Sequence, residues 1–126
     1  MTNRVAKYIK GRIRSFKHAF NGINILLSEE PNSKIQGFLA IVALLMGYFL
    51  HISSTEWIAL CIVIGLVFAM EAINSAIENL ADFACNKNIE ESIKKTKDLS
   101  AAGVLFSAIA ALIVGLIIFL PKLLSF

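Results

Sequence analysis

Three apolar segments most constrain how this chain can fold, and they lie at about residues 35–52, 57–70 and 99–120. A helix needs roughly 20 apolar residues to cross the hydrocarbon layer of a membrane, where every backbone polar group must be hydrogen-bonded within the protein. The second segment reaches that length only if it continues amphipathically through Glu71. With 57% hydrophobic residues, the composition also exceeds that of an ordinary soluble domain. The sequence therefore predicts an all-α integral membrane protein with three transmembrane helices.

A basic amphipathic stretch at residues 4–27 precedes the first apolar segment. Apolar side chains recur there every three to four positions, with Lys and Arg between them. This pattern is typical of a surface helix whose cationic side chains point toward anionic lipid headgroups. The simplest interpretation is a membrane anchor, although such a helix could also flank a polar site and admit a lipid along its apolar face.

Pro31 marks the boundary between this N-terminal helix and the first span, because proline disfavours helical geometry in the residue before it. We therefore expect the surface helix at about residues 4–28 and the spans at about residues 34–52, 56–84 and 98–120. Together these elements form one predicted membrane-embedded domain over residues 1–126.

The positive charges predict how the spans are oriented. Of the 12 Lys and Arg residues, 11 lie either up to the start of the first span or between the second and third spans, and Lys122 is the exception. Because Lys and Arg are enriched in cytoplasmic segments, we expect a multi-pass protein of the inner membrane with the N-terminus and the loop at residues 84–98 in the cytoplasm. Eight of the nine acidic residues fall on the same side. A surface rich in both signs suits the binding of a metal–anion complex better than simple electrostatic anchoring.

A polar stripe lies where the second apolar segment ends, in the sequence EAINSAIENLAD. At roughly 100° per residue, its polar side chains fall within about 60° of a common line and share one helix face over about 16 Å. They are Glu71, Asn74, Ser75, Glu78 and Asp82. An ionised side chain among apolar helices costs roughly 2.5–3.5 kcal/mol on insertion scales, so intramembrane acids usually have a function and a partner. Three carboxylates on one face therefore suggest a cation site.

Further charged residues flank the spans at the same predicted depth as this stripe. Glu30 and Lys34 lie at the start of the first span, and Lys97 and Asp98 at the start of the third. Each has an ordinary explanation: the two acids as helix caps or dipole partners, and the lysines as a cytoplasmic positive cluster. Together with the stripe, however, they form one predicted polar layer.

This layer has the chemistry expected for phosphoryl transfer at a membrane surface. Carboxylate oxygens suit Mg²⁺, which typically binds one or two carboxylates together with substrate phosphates. The sequence has no GxxxxGK[ST] loop, glycine-rich kinase loop or DFG motif, so a nucleotide site would have to be assembled from helix faces. Because one three-span subunit encloses little space, we expect an oligomer that completes the site between subunits. We expect no nucleic-acid partner.

Three sequence motifs resemble the prokaryotic diacylglycerol kinase family, which includes the undecaprenol kinases. They are EAINSAIENLAD in the second span, the Lys97-Asp98 pair before the third, and EPNSK from Glu30 to Lys34. The resemblance covers about residues 16–120. It implies a homotrimer of three-span subunits with surface N-terminal helices and shared active sites. It also implies transfer of the γ-phosphate of MgATP to the hydroxyl group of a membrane lipid.

The resemblance also implies a role for each matched position. Glu71 matches the catalytic carboxylate, which would accept the proton of the lipid hydroxyl as general base. Glu30 and Glu78 match the magnesium ligands, which would bridge the metal and the nucleotide phosphates. Lys97 and Asp98 match a pair that contacts ATP. Transfer would be direct and in line, without a phospho-enzyme.

A second group of matched positions would support this site. It comprises Asn74, Ser75, Asp82 and Lys34, the last of which stands where relatives usually have Arg. His18 falls near an aromatic ATP-contacting position of some relatives, although a polar residue on the basic helix is the alternative interpretation. The segment ACNKNIEESIKKT at residues 84–96 departs from the pattern of many relatives, so the resemblance does not say which residues contact the adenine.

The lipid is predicted only by class, as undecaprenol or diacylglycerol. Small and aliphatic residues such as Ala40, Ala43 and Gly47 could line a groove for either chain. A small transporter or a non-catalytic scaffold subunit is the alternative function. A transporter would carry its acid near the bilayer midplane between broken helices, whereas here the carboxylates crowd one interface.

Overall fold

The computed structural model describes residues 2–85 and 91–125, which form four helices. Their bounds are α1 Thr2–Glu29, α2 Pro31–Phe49, α3 Ser54–Cys85 and α4 Glu91–Leu124. α2, α3 and α4 are each long and apolar enough to cross a membrane. This confirms the predicted all-helical architecture with three helices that are suited to span a membrane. Part of the segment at 84–96, namely residues 86–90, lies outside the described residues.

The boundary between α1 and α2 consists of one residue, Glu30, with an extended backbone (φ −99°, ψ 112°). Pro31 is the first residue of α2, a position where its missing N–H would have no helical partner in any case. The Glu30 N–H donates to the Leu26 carbonyl at 3.2 Å. Within the described residues the Glu30 side chain makes no capping hydrogen bond, so the interpretation of this acid as a side-chain cap is wrong.

The first turns of α4 precede the predicted start of the third span. α4 begins at Glu91, so Asp98 lies inside the helix and the prediction that it caps the helix is wrong. The polar turns are held by local contacts: Lys94 Nζ lies 2.8 Å from Asp98 Oδ2, and Thr96 Oγ1 donates to the Ser92 carbonyl at 3.0 Å. A hydropathy pattern detects only the apolar part of such a helix. The polar turns are helical as well, because i,i+4 pairs such as these stabilise them.

The turn between α2 and α3 begins with a Schellman-type C-cap. The His51 N–H donates to the Tyr48 carbonyl at 3.4 Å and the Ile52 N–H donates to the Gly47 carbonyl at 3.2 Å. His51 adopts the left-handed conformation that this motif requires, with φ 52°. A Cβ atom on Gly47 would lie 2.9 Å from Trp57 Cη2 and 3.0 Å from Ile52 Cδ1. Gly47 therefore permits a close approach that a larger residue would obstruct.

A capping box begins α3. The Ser53 N–H donates to Glu56 Oε1 at 2.9 Å, and the Glu56 N–H donates to Ser53 Oγ at 3.2 Å. This reciprocal pair satisfies two backbone donors at the helix start. Glu56 Oε1 also lies 3.4 Å from Lys122 Nζ near the end of α4, so the start of α3 is tied to the end of α4.

α3 and α4 are antiparallel neighbours with the most extensive helix–helix packing in the described structure. At one end Lys97 of α4 pairs with Asp82 of α3, and at the other Lys122 of α4 pairs with Glu56 of α3. We call these the site end and the turn end.

The main buried apolar cluster lies at the turn end and contains Ile52, Leu60, Ile118 and Phe119. Most large apolar side chains elsewhere are exposed. This is expected of helices that face lipid, because the surrounding acyl chains are as apolar as the side chains.

Candidate functional site

Glu71 is the most deeply buried ionisable side chain described in the chain, with 1% of its surface exposed. It follows Leu60, Val63 and Val67 in the buried seam of α3. Spacings of three and four residues place these side chains on one helix face. Toward the site end, the next position on this buried face of α3 is therefore a carboxylate instead of an apolar side chain. The same register was readable in the sequence, although the polar stripe alone did not reveal how completely Glu71 is buried.

Gln36 of α2 is the residue that the sequence analysis missed. Its Nε2 donates to Glu71 Oε2 at 3.2 Å. No sequence motif marked it, because a single amide in an apolar helix carries no pattern and the contact joins two helices. Its Oε1 is buried and has no hydrogen-bond partner among the described residues.

The other members of the polar stripe become more exposed along α3. Asn74, Ser75 and Glu78 are half-buried, and Asp82 is exposed. Asn74 Oδ1 and Ser75 Oγ are buried atoms without a hydrogen-bond partner in residues 2–85 and 91–125. Unsatisfied buried oxygens are unfavourable, and a ligand, an ion or a water can satisfy them. The stripe therefore offers free oxygen atoms beside Glu71.

Lys97 and Asp98, predicted to act as a pair toward ATP, have different partners. Lys97 Nζ bonds to Asp82 Oδ1 across α3 and α4, whereas Asp98 bonds to Lys94 within α4. The structure thus brings together Lys97 and Asp82, two of the predicted site residues. Lys94 and Asp98, together with Lys95, line a small exposed cavity of about 470 Å³ on α4. Lys34 is exposed on the first turns of α2.

A cavity of about 550 Å³, which we call the surface cavity, lies between the C-terminal part of α1 and α3. It is lined by apolar residues of both helices and by the polar residues Glu29, Glu30, Ser75 and Asn79. Two predicted site residues therefore line one cavity: Glu30 at the α1–α2 boundary and Ser75 on α3. His18 is exposed and is not among the described residues that line this cavity.

A second cavity of about 510 Å³, the apolar groove, is bounded by α2, α3 and α4. Its lining is apolar except for Gln36, the partner of Glu71. Ala40 and Ala43 line it as predicted. Gly47 does not line it in the described structure and instead packs against Trp57 and Ile52 at the turn end. That prediction is wrong because the helix turns this glycine toward the α2–α3 turn.

The predicted metal ligands do not form a preformed three-ligand centre. In residues 2–85 and 91–125, no group of three or more His, Cys, Asp and Glu side chains lies close enough to hold a metal ion. Mg²⁺ in phosphoryl-transfer sites needs fewer protein ligands, because phosphates and waters supply the rest. The predicted carboxylate ligands, together with the unpartnered oxygens of Asn74 and Ser75, fit that chemistry. The role of Glu30 and Glu78 stays a prediction.

Comparison with known proteins identifies the family. Residues 17–119 match the profile of the family described as prokaryotic diacylglycerol kinase. The chain belongs to this family. Undecaprenol kinase of Bacillus subtilis is 36% identical over 110 residues, covering 87% of this chain and 89% of that protein.

Two proteins named diacylglycerol kinase are also similar to the chain. A diacylglycerol kinase of a Synechocystis species is 32% identical over 111 residues, covering 88% of this chain and 63% of that relative. A diacylglycerol kinase of Haemophilus influenzae is 30% identical over 105 residues, covering 83% and 86%. Membership in this family confirms the resemblance and argues against the transporter or scaffold alternative.

Proposed function

We propose that this chain is a membrane lipid kinase that transfers the γ-phosphate of MgATP to the hydroxyl group of a membrane lipid alcohol. The observation that carries the proposal is the burial of Glu71 beside Gln36, where the apolar groove meets the polar stripe. A lipid alcohol has a long apolar chain and one reactive hydroxyl. A groove that is apolar except for one amide, which itself bonds to a carboxylate, is complementary to both parts.

Glu71 acts as the general base in this proposal. The lipid hydroxyl oxygen attacks the γ-phosphorus in line with the bond to the leaving ADP oxygen, and a Glu71 oxygen accepts the hydroxyl proton. The new O–P bond forms as the bond to ADP breaks, so no phospho-enzyme is needed. Positioning and electrostatic stabilisation supply most of the rate in such reactions. A general base typically adds 10²- to 10⁴-fold.

In this proposal the polar residues around Glu71 bind the nucleotide or support its site. Lys97 offsets charge on the phosphoryl oxygens, and its ion pair with Asp82 fixes its position across α3 and α4. Asp98 and His18 contribute further contacts to ATP, while Asn74, Ser75 and Lys34 support the site. The paired Lys94 and Asp98 place both signs of charge beside this region, which suits a nucleotide with its metal.

Glu30 and Glu78 are the proposed ligands of Mg²⁺. Both are half-buried carboxylates, and Glu30 shares the surface cavity with Ser75. When bound, Mg²⁺ would reduce the negative charge on the phosphates. Two carboxylates are enough for a metal that also binds phosphate oxygens.

A homotrimer with shared sites is the proposed assembly. Several polar oxygens at the site end lack partners within one described chain, and a neighbouring subunit could complete their surroundings. We further propose that residues 1–126 form one lipid kinase domain in the inner membrane, with α1 on the cytoplasmic surface. Exposed basic and apolar residues alternate along α1, which supports this placement.

Undecaprenol is the first candidate substrate and diacylglycerol the second. The relative at 36% identity is named for undecaprenol, and the two at 32% and 30% are named for diacylglycerol. Both are membrane alcohols that the apolar groove could accept.

The test is transfer of labelled γ-phosphate from MgATP to the two lipids in parallel, with the purified full chain in mixed micelles. Preferential labelling of undecaprenol identifies a carrier-lipid kinase, and preferential labelling of diacylglycerol a glycerolipid kinase. Folded protein that labels neither lipid in the presence of adequate magnesium contradicts the proposal.

A further inference from the structure

Gln36 connects the buried carboxylate to the apolar groove. Its Nε2 donates to Glu71 Oε2 at 3.2 Å, and the same side chain is the polar residue in the groove lining. Among the side chains that the structure describes, Gln36 is the hydrogen-bond partner of the Glu71 carboxylate. Any change at Gln36 therefore acts both on Glu71 and on the polar end of the groove.

The hydrogen bond restricts Glu71 in a defined way. An ionised carboxylate only accepts hydrogen bonds, so the amide nitrogen of Gln36 is the atom that must face it. A hydrogen bond to a charged acceptor is stronger than one between neutral groups, and its loss in a buried place leaves the charge unsatisfied. The Glu71 side chain has several rotatable bonds, and this contact holds one of its two oxygens, Oε2. Within residues 2–85 and 91–125, no side chain donates a hydrogen bond to the other oxygen, Oε1.

We infer that Gln36 is a positioning residue: it holds Glu71 Oε2, so that Glu71 Oε1 is the atom that accepts the proton of the lipid hydroxyl at the end of the apolar groove. The inference rests on the proposed function and extends it to a residue on another helix. The proton moves from the lipid oxygen to Oε1 as that oxygen bonds to the γ-phosphorus and ADP leaves. Gln36 neither gains nor loses a proton in this step.

The decisive variants are Gln36→Met and Gln36→Asn, measured for phosphate transfer in mixed micelles. Met has nearly the length of Gln but no donor, and Asn keeps the amide on a side chain one methylene shorter. Both variants should lower kcat on the order of 10- to 100-fold, the effect expected when a reacting group is displaced by about 1 Å. KM for MgATP should stay unchanged, because Gln36 lines the apolar groove and is not among the residues proposed to bind the nucleotide.

A double-mutant cycle with Glu71→Asp separates positioning from a general structural role. The shorter aspartate side chain withdraws the carboxylate from the Gln36 amide, so Gln36→Met should cost much less kcat in that background than in the wild type. A merely structural role would lower activity by the same factor in both backgrounds. Thermal unfolding of every variant in the same micelles shows whether it is folded.

The outcomes of this experiment are distinct. Wild-type protein that transfers no phosphate contradicts the proposed function itself. Active wild-type protein with unchanged kcat in Gln36→Met overturns the inference alone, as do equal losses in both backgrounds of the cycle. If Gln36→Met does not fold, Gln36→Asn decides: a reduced kcat with unchanged KM supports the inference, and a wild-type kcat overturns it.

Discussion

The two ends of the helix bundle differ in how many of their polar groups have hydrogen-bond or ion-pair partners. At the turn end, the capping box pairs Ser53 with Glu56, and Glu56 also pairs with Lys122. At the site end, a fully buried Glu71 has one amide partner, and oxygens of neighbouring residues have none in the described structure. The turn end thus resembles a stabilised helix junction. The site end retains unsatisfied polar atoms where a substrate is proposed to bind.

This difference indicates which end contributes stability and which contributes chemistry. The main apolar cluster also lies at the turn end, so packing and hydrogen bonding reinforce each other there. Local rules of caps and packing usually fail at functional sites, where polar groups are kept available at some expense of stability. Changes at the turn end should therefore alter unfolding, and changes at the site end should alter kinetics.

The largest expected effect comes from Glu71→Gln. Removing the proposed base should reduce kcat by about 10²- to 10⁴-fold. The thermal midpoint should stay the same or rise, because a neutral amide is less costly to bury than a carboxylate. Phosphate-transfer kinetics and thermal unfolding in mixed micelles measure both quantities. Wild-type turnover in this variant would remove Glu71 from the role of base.

Replacement of Glu30 or Glu78 by Gln should weaken the affinity for magnesium, because each change removes one proposed ligand. Residues that only hydrogen-bond to metal ligands already contribute about 10- to 100-fold to metal affinity. Loss of a ligand itself should therefore raise the magnesium concentration for half-maximal activity by at least about tenfold. The measurement is a magnesium titration of transfer at fixed ATP. Glu29→Gln is a matched control, because Glu29 also lines the surface cavity but has no proposed metal role. A wild-type titration curve removes the changed residue from the ligand set.

Two lysines allow a direct comparison of the ends. Lys97 and Lys122 have similarly exposed side chains, 35% and 31%, and each pairs with an acid on α3. Lys97→Met should raise KM for MgATP on the order of tenfold or more, because a charged contact to phosphate is lost. Lys122→Met should leave KM unchanged and slightly lower the thermal midpoint. Equal kinetic effects of the two substitutions would contradict the assignment of ATP to the site end.

The smallest expected effect on activity comes from two glycines. Gly47→Ala would force a Cβ against Trp57 and Ile52, and overpacking of this kind typically costs about 1–3 kcal/mol of stability. Gly65→Ala is the control, since its Cβ would meet nothing within 4 Å. Ala also has a helix propensity up to about 1 kcal/mol better than Gly. Thermal unfolding should therefore separate the two variants, while kcat of the folded protein stays unchanged in both.

The sequence predicted those features that depend on local chemistry. The break at Pro31 follows from proline geometry, and the three membrane helices follow from apolar length. The stripe from Glu71 to Asp82 follows from helix periodicity on α3. These features require no knowledge of which helices are neighbours.

The remaining features depend on contacts between helices or on polar turns. The bond from Gln36 to Glu71 joins α2 to α3, and the early start of α4 at Glu91 depends on polar i,i+4 contacts rather than on hydropathy. Lys97 is adjacent to Asp98 in sequence but pairs with Asp82 across the helix interface. Adjacent residues on a helix point about 100° apart, so proximity in the sequence did not predict a shared partner.

The most direct test of this division between the two ends is to measure transfer kinetics and thermal midpoint together for four variants in one micelle preparation. Glu71→Gln and Lys97→Met alter the site end, and Glu56→Gln and Lys122→Met alter the turn end. We expect two separate groups: the first pair loses transfer kinetics beyond any change in its midpoint, and the second keeps its kinetics with a lower midpoint. If activity in all four variants simply follows the loss of stability, the site end has no special chemical role and the proposed division between the two ends is wrong.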